Sequence, residues 1–264
     1  MTTQTVNNQA GTSEPAAVSW APLAVVLCGI FVYVLDFFIV NVALPSIQTG
    51  LGASPSAIEW VVAGYALTSA SLLVTGGRLG DHYGRRKLFS LGIGAFTVTS
   101  ALCAVAPDAG FLVAARLAQG VAAALMAPNV LSIIGTTYAG AARVKAISAY
   151  GMVMGVAAAG GQLLGGLLIS ADLGGLGWRV LFWLNVPVGV AALVLAPRLV
   201  PESRAAAPGR LDLRGAALLS AALVAIVLPL LDGRAHSWPA WSWACLAAGP
   251  VLLALFGWYL RAAA

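Results

Sequence analysis

Two charged side chains, Asp36 and Arg116, lie inside long apolar stretches of this sequence. A charge in a hydrocarbon environment is energetically expensive, so such residues are candidate functional residues by default. A helix rises about 1.5 Å per residue, which places Asp36 about 10 Å and Arg116 about 8 Å from the same end of their stretches. At similar depth the two could meet, and a moving arginine could switch the carboxyl between its charged and protonated forms. A static ion pair that only fixes helix packing is the alternative.

A second polar cluster, residues 77–87, separates the second and third apolar stretches. It contains Gly77, Asp81, Gly84, Arg85 and Arg86. Glycine allows a tight turn at a membrane edge without a Cβ clash. The carboxylate could meet a helix amino terminus or a basic group, and the arginines could reach carbonyls, carboxylates or lipid phosphates. We expect a loop that ties the ends of spans two and three to a neighbouring helix and stabilises one conformational state.

The composition indicates the environment of these residues. Of the sequence, 60% is hydrophobic and only 9% is charged, whereas soluble domains carry about a quarter charged residues. A span needs about 20 mostly apolar residues. The sequence therefore predicts an all-α membrane protein with about eight transmembrane helices. The predicted spans are 21–43, 57–75, 88–106, 111–134, 149–170, 180–200, 215–231 and 243–260.

The chain divides into four predicted segments. Residues 1–19 are polar and small and contain no Lys or Arg, so they lack the basic start of a signal peptide. We expect them to form a disordered cytoplasmic tail before a retained first helix. Residues 20–200 form a six-helix bundle and residues 201–214, with Pro201 and Pro208, form a cytoplasmic linker. Residues 215–264 supply two additional transmembrane helices.

Lysine and arginine fix the predicted orientation. With a cytoplasmic amino terminus, the outer segments contain only Arg179 and Arg234. The inner cations are Arg78, Arg85, Arg86, Lys87, Arg143, Lys145, Arg198, Arg204, Arg210, Arg214 and Arg261. Because cytoplasmic loops are enriched in such residues, we expect a multi-pass protein of the plasma (inner) membrane with both termini in the cytoplasm. The net charge of +5 comes from short patches facing lipid headgroups, so nucleic acid is not an expected partner.

The motifs of the enzyme classes considered, and the residue spacings that suit a metal site, are not found in the sequence. It contains neither the phosphate-binding loop of ATP-driven pumps nor a nucleophile elbow. His82 and His236 lie on opposite sides of the predicted membrane and cannot share a metal. The three cysteines, Cys28, Cys103 and Cys245, fall inside predicted spans at spacings that suit neither a metal site nor a disulfide framework. We expect no enzyme activity, no cofactor and no metal.

The fifth span carries small residues at four-residue spacing: Gly151 and Gly155 in one set, and Gly161 and Gly165 in another. Each set lies on one helix face, where missing side chains let a neighbouring helix approach closely. Either tight packing or a bendable helix at a moving interface explains the pattern.

Several motifs resemble those of one transporter family. Residues 77–87 closely resemble the signature loop of the major facilitator superfamily, with its pattern Gly-x-Leu-x-Asp-x-x-Gly-Arg-Arg/Lys. Residues 35–45 resemble the first-span motif of its fourteen-span drug:proton antiporter branch, and residues 116–120 resemble the fourth-span motif. Residues 161–166 resemble the fifth-span antiporter motif, and residues 178–189 resemble the start of span six. Phe38 stands where that branch usually has Thr, and Gln162 stands where it usually has Pro.

The resemblance implies both fold and function. It implies a six-helix bundle built from three plus three spans, two extra helices, and a carboxy-terminal bundle that is missing from this chain. The implied activity is proton-coupled multidrug efflux, in which protons drive export of small, largely apolar substrates. Asp36 and Arg116 would couple the proton. The residues implied in the substrate cavity or in helix packing are Asn41, Gln119, Gly120, Gly161, Gln162 and Gly165.

Two other functions stay open at this point. One is a transporter for a specific metabolite. The other is a transport-inactive half bundle, either a gene fragment or an interaction partner of another protein.

The predicted orientation can be checked by cysteine labelling. A cysteine at Gly140 should be protected from an impermeant thiol reagent in intact cells, because residues 139–145 are expected in the cytoplasm. A cysteine at Ser237 should react, because residues 232–239 are expected outside. The parent chain, with its three intramembrane cysteines, is the control. Labelling at Gly140 without labelling at Ser237 would overturn the orientation.

Overall fold

The computed structural model describes residues 18–206, 213–233 and 237–263. Within these ranges the chain forms eight α-helices and no strand, which confirms the prediction of an all-α membrane protein. The helices are α1 (Ala21–Leu51), α2 (Pro55–Tyr83), α3 (Arg85–Ala104), α4 (Ala109–Thr137), α5 (Gly140–Ala171), α6 (Val180–Leu199), α7 (Leu213–Asp232) and α8 (Ala240–Ala263). Seven of these are long and apolar enough to cross a membrane, and the apolar part of α7, Arg214–Leu230, is shorter.

Most helices extend beyond the predicted apolar stretches. Short polar side chains cap two of them: Ser54 Oγ accepts the Ala57 N–H at 3.2 Å and Asp108 Oδ1 accepts the Phe111 N–H at 2.8 Å. Such caps satisfy orphan backbone donors at a helix start. α1 continues past its apolar part to Gly52, whose φ of 58° ends the helix. Hydropathy marks the lipid-facing length, whereas backbone hydrogen bonds set the helix length.

The predicted loop at residues 77–87 is wrong. α2 continues through Tyr83, one residue interrupts it, and α3 starts at Arg85. That residue is Gly84, with φ 118° and ψ 127°, a backbone conformation open to glycine. Gly77 lies within α2, where a Cβ would stand 3.5 Å from the Cβ of Pro128 on α4. The glycines before Gly84 therefore serve helix contact rather than a turn.

The helices pack in a defined order. α2 lies against α4, α1 against α5 and α6, and α3 against both α4 and α6. α7 packs on α2, where Ser220 Oγ donates to Ser71 O at 3.2 Å, and α8 packs chiefly on α7. The six helices α1–α6 thus surround a shared interior, with α7 and α8 attached to one side through α2.

Two predicted segments lie partly outside the described residues. Of the tail at 1–19, only residues 18 and 19 are described, and both are exposed without regular structure. Of the linker at 201–214, residues 207–212 are outside the described ranges. Its first residues are not free: Ala205 N donates to Asp81 O at 3.1 Å, and Ser203 O accepts Arg85 N at 3.0 Å.

Glycine allows close approach at two helix pairs. On α5, Gly161 and Gly165 face α1, where an added Cβ would lie 3.1 Å from Leu35 O and 3.0 Å from Ile39 Cγ1. On α2, a Cβ at Gly76 would lie 2.8 Å from the carbonyl carbon of Ala124 on α4. By contrast, a Cβ added at Gly151 or Gly155 on α5 would meet no atom of another helix within 4 Å in the described part of the chain. The two sets of glycines on α5 therefore differ in role.

Replacing Gly76 with alanine tests the α2–α4 contact. Overpacking against backbone costs about 1–3 kcal/mol, so Gly76→Ala should lower the free energy of unfolding in detergent by about that amount. The matched control is Gly151→Ala, where alanine meets open space and should be neutral or stabilise by up to about 1 kcal/mol. Equal effects of the two substitutions on thermal unfolding would contradict the packing explanation.

Candidate functional site

Asp36 on α1 and Arg116 on α4 are both fully buried, and they form an ion pair in which Arg116 Nη1 donates to Asp36 Oδ2. The sequence placed them at similar depth, and the structure brings their side chains into direct contact. Removing two charges from water is costly unless geometry and additional hydrogen bonds compensate. The surroundings of the pair supply such bonds.

The arginine is fixed by groups from α2. Arg116 Nε donates to Val61 O at 2.9 Å, and the guanidinium carbon lies 4.1 Å from the centre of the Tyr65 ring. A cation over the face of an aromatic ring is attracted by its quadrupole. The Tyr65 hydroxyl in turn donates to Tyr33 O at 3.2 Å. These contacts hold the guanidinium toward α1.

Two amides complete the shell of the carboxylate. Gln119 Nε2 donates to Asp36 Oδ1 at 3.2 Å, and Asn185 Nδ2 on α6 donates to the same oxygen at 2.8 Å. Gln119 Oε1 accepts Arg116 Nη1 at 2.8 Å. Asn185 Nδ2 also donates to Ser100 Oγ on α3 at 3.0 Å. The carboxylate thus joins α1, α4 and α6 directly, and α3 through Ser100.

Sequence reasoning missed part of this shell. Asn185, Ser100 and Tyr65 were not among the predicted site residues. Asn185 carried a detectable signal, because it is a polar amide in the middle of an apolar span, where polar side chains usually face the bundle interior. Ser100 and Tyr65 are too common in membrane helices to be selected without the fold.

Other predicted residues lie elsewhere. Gly120, which the resemblance implied in the substrate cavity or in helix packing, lies against α2: a Cβ at Gly120 would lie 2.5 Å from Tyr65 O and 3.1 Å from Ser69 N. Asn41 is exposed, and its Nδ2 donates to Phe37 O at 2.7 Å. Gln162 is exposed as well. Neither of these two side chains joins the buried network.

The polar cluster between α2 and α3 differs from the expected one. Arg85 Nη2 donates to Asp81 Oδ1 at 2.6 Å, so these two side chains join the end of α2 to the start of α3 across Gly84 rather than to a third helix. The link to α6 comes from Arg86, whose Nη1 donates to Pro197 O and Val200 O at 3.2 Å each. Arg85 and Asp81 bond the described part of the linker through their backbones, to Ser203 O and Ala205 N.

Glu202, which the sequence did not single out, completes this link. Its Oε1 accepts the Arg86 N–H at 3.1 Å at the start of α3, and its Oε2 lies 3.6 Å from Arg86 Nε. A carboxylate at a helix amino terminus complements the partial positive charge there. Gly84 permits this approach, because a Cβ there would lie 2.8 Å from Glu202 Oε1.

Metal binding has no support among the described residues, which contain no cluster of three or more His, Cys, Asp or Glu side chains that could hold an ion. His236 lies outside the described ranges. The buried polar groups of the described part include one carboxyl, one guanidinium, the Cys103 thiol and several amides and hydroxyls.

Comparison with known proteins identifies the family. The sequence profile of the Major Facilitator Superfamily matches residues 26–260. The chain belongs to this superfamily of membrane transporters. It is accordingly a multi-pass protein of the plasma membrane.

Two relatives illustrate the similarity. The chain is 41% identical over 92% of its length to a "Probable actinorhodin transporter" of Streptomyces coelicolor, and covers 42% of that protein. It is 35% identical over 99% of its length to the "Tetracenomycin C resistance and export protein" of Streptomyces glaucescens, and covers 49% of it. The chain thus spans about half the length of these relatives.

A solved structure supports the fold of this superfamily member. The crystal structure of tetrameric PepTSo2 superimposes with a TM-score of 0.64 at 20% identity, over 91% of this chain and 55% of that one. At this identity the likeness concerns the fold alone.

A double-mutant cycle tests how strongly the buried pair is coupled. Asp36→Asn and Arg116→Met should each destabilise the chain by about 3–5 kcal/mol, because each leaves a buried charge unpaired. The double variant should lose less than the sum, with a coupling of about 1–3 kcal/mol. Unfolding in detergent, followed by circular dichroism, measures all three.

The matched control is the more accessible pair of Asp81 and Arg85. The same changes, Asp81→Asn and Arg85→Met, should show a coupling of at most about 1 kcal/mol. Additive losses at Asp36 and Arg116 would mean that the buried contact contributes no coupling.

Proposed function

We propose that the chain contributes one helical bundle to a proton-coupled exporter of small, largely apolar compounds. The observation that carries the proposal is the buried contact between Asp36 and Arg116. Intramembrane ionisable residues of this kind mark proton or substrate pathways. The name of one relative, a tetracenomycin C resistance and export protein, supports export as the direction. That name and the name of the other relative, a probable actinorhodin transporter, support such compounds as the substrate class.

The proposed coupling follows from the hydrogen-bond chemistry of the carboxyl group. Asp36 accepts bonds from Arg116, Gln119 and Asn185, an arrangement that suits the charged carboxylate, which can only accept. Uptake of a proton would remove the attraction that holds Arg116. The arginine would then be free to take another partner, and the helices that carry the two residues could change their relative position. The transmembrane proton gradient would supply the energy.

The orientation and the remaining predicted roles are part of this proposal. Both termini are proposed to lie in the cytoplasm, since nearly all Lys and Arg residues then fall in inner segments. The cluster of Gly77, Asp81, Gly84, Arg85 and Arg86 is proposed to stabilise one conformational state at that side. Gly161 and Gly165 would serve packing of α5 against α1, while the exposed Asn41 and Gln162 would be available to a substrate cavity.

The proposal also includes an opposing bundle. Superfamily transporters move substrate at an interface between two bundles that rock about a central site. Residues 20–200 would form one of these bundles, α7 and α8 an additional pair, and the second bundle would be supplied by further sequence of the kind the longer relatives possess.

Asp36→Asn tests the coupling in a transporter of full family length that contains this chain. The amide cannot gain or lose a proton at neutral pH, so proton-driven efflux should fall to background. Energy-independent exchange of substrate should persist, because the rest of the site is kept. Both are measured in vesicles with an imposed pH gradient.

The control for this experiment is Asp108→Asn. It makes the same chemical change at an exposed helix cap, where asparagine caps equally well, and should leave both activities unchanged. Unchanged proton-driven efflux in Asp36→Asn would eliminate Asp36 as the proton carrier. Loss of both activities in a variant that keeps the parent's circular dichroism and its amount in the vesicles would assign Asp36 to substrate transport itself.

A further inference from the structure

The side-chain amides of Gln119 and Asn185 both donate to the Asp36 carboxylate, but they differ in whether their oxygen atoms accept hydrogen bonds. Gln119 Oε1 is held in place, since it accepts Arg116 Nη1 at 2.8 Å and the Cys103 thiol at 3.6 Å. Asn185 Oδ1 is buried, and within the part of the chain that the structure describes it has no hydrogen-bond partner. Gln119 is therefore fixed in one orientation, whereas the oxygen of Asn185 is unrestrained by any such bond.

This difference matters once Asp36 carries a proton. A carboxylate only accepts hydrogen bonds, but a protonated carboxyl also donates one. Asp36 Oδ2 faces the Arg116 cation, so the proton belongs on Oδ1, which faces Gln119 and Asn185. In the observed arrangement both amides present N–H groups to that oxygen. A protonated Oδ1 would then face donors only, which is unfavourable for a buried group.

Few neighbouring groups could accept the new hydrogen bond. Gln119 Oε1 already receives two donors, and Val61 O receives Arg116 Nε. The unpartnered Nη2 of Arg116 is a donor and cannot accept. Among the described neighbours of Asp36, the buried acceptor without a partner is Asn185 Oδ1.

We propose that Asn185 reverses its side-chain amide when Asp36 takes up a proton. This proposal rests on the coupling role of Asp36 given under the proposed function. In the charged state Nδ2 donates to Asp36 Oδ1, as observed. In the protonated state the amide turns about its last side-chain bond: Nδ2 gives up its bonds to Asp36 Oδ1 and Ser100 Oγ and takes the place of Oδ1, and Oδ1 accepts the new O–H. One proton is added to the carboxylate from the aqueous phase, and no other covalent bond forms or breaks.

Ser100 carries this reversal to the contact between α3 and α6. Its Oγ now accepts Asn185 Nδ2 at 3.0 Å and donates to Phe182 O at 2.9 Å. Once Asn185 presents its oxygen, the serine hydroxyl can donate to that oxygen and leave Phe182 O. Protonation of Asp36 on α1 would thereby change a hydrogen bond between α3 and α6. Asn185 is a positioning residue in this scheme, because it acts through Asp36.

The other ionisable groups around Asp36 have fixed roles. Arg116 on α4 stays protonated in proteins. The Tyr65 hydroxyl on α2 is bonded to Tyr33 O, and the Cys103 thiol on α3 is bonded to Gln119. From α6 the facing polar group is Asn185, and α5 meets this part of α1 through Gly161, which has no side chain. Asp36 is thus the group whose protonation the amide would follow.

Isotope-edited infrared difference spectroscopy tests the reversal in the complete chain in lipid vesicles. Spectra at acidic and neutral pH are compared with and without isotopically labelled asparagine. We expect a shift of the Asn185 side-chain carbonyl band on acidification, because that oxygen gains hydrogen bonds. The band is assigned by its loss in Asn185→Leu, or in Asn185→Ser if the leucine variant does not fold. The shift should vanish in Asp36→Asn.

Asn129 supplies the control within the same spectrum. It is also a buried asparagine whose Oδ1 has no partner among the described residues, but its Nδ2 donates to Gly76 O and Leu125 O, away from any carboxyl group. Its band, assigned with Asn129→Ala, should not move with pH.

The outcomes separate the two proposals. A protonated-carboxyl band that disappears in Asp36→Asn, together with an unmoved Asn185 band, would overturn the reversal and leave the coupling role of Asp36 standing. Absence of that carboxyl band across the pH range would overturn both. A pH-dependent Asn185 band that persists in Asp36→Asn would also refute the reversal, since the amide would then respond to another group.

Discussion

A charged side chain in the middle of a helical membrane protein has no water to hydrate it, so protein groups must satisfy each of its hydrogen bonds. In this chain that requirement falls on Asp36. Its carboxylate receives the guanidinium of Arg116 and the amides of Gln119 and Asn185. Because these donors and the carboxylate belong to three helices, satisfying one carboxylate fixes the relative positions of α1, α4 and α6. The arginine extends the same constraint to α2 through Val61 O and the ring of Tyr65.

Close helix packing makes this arrangement possible. Gly120 on α4 lets the backbone of α2 approach at Tyr65, one turn from Arg116, and Gly92 on α3 lets that helix approach Met126 on α4. Larger residues would separate the helices and lengthen the hydrogen bonds of the ion pair. In membranes, where apolar side chains gain little by leaving lipid, such small-residue contacts and interhelical hydrogen bonds are the main sources of helix association. The glycines and the polar network therefore depend on each other.

The polar cluster at the junction of α2 and α3 differs from the buried carboxylate because its side chains are partly exposed to solvent. Asp81 and Arg85 pair at one surface-accessible turn, and Arg86 with Glu202 connects the start of α3 to the end of α6. Partly hydrated pairs of this kind contribute little stability each. Their bonds can be exchanged at small cost, in contrast to those of the buried carboxylate.

The sequence by itself determined the membrane class, the order of the eight helices in the described residues, and two charges that are buried between those helices. Length, hydropathy and rare intramembrane charges are local properties, which is why the sequence alone carries them. It also placed Asp36 and Arg116 at similar depth, since helical rise converts sequence position into distance. The tertiary structure alone decided which neighbours complete the site. Asn185 and Ser100 lie far from Asp36 in sequence, and only the packing of α3 and α6 against α1 brings them to the carboxylate. The roles of Gly76 and Gly120 likewise depend on the helix that each one faces. The break between α2 and α3 is only one residue long, Gly84, because backbone hydrogen bonds continue beyond the apolar part of each helix.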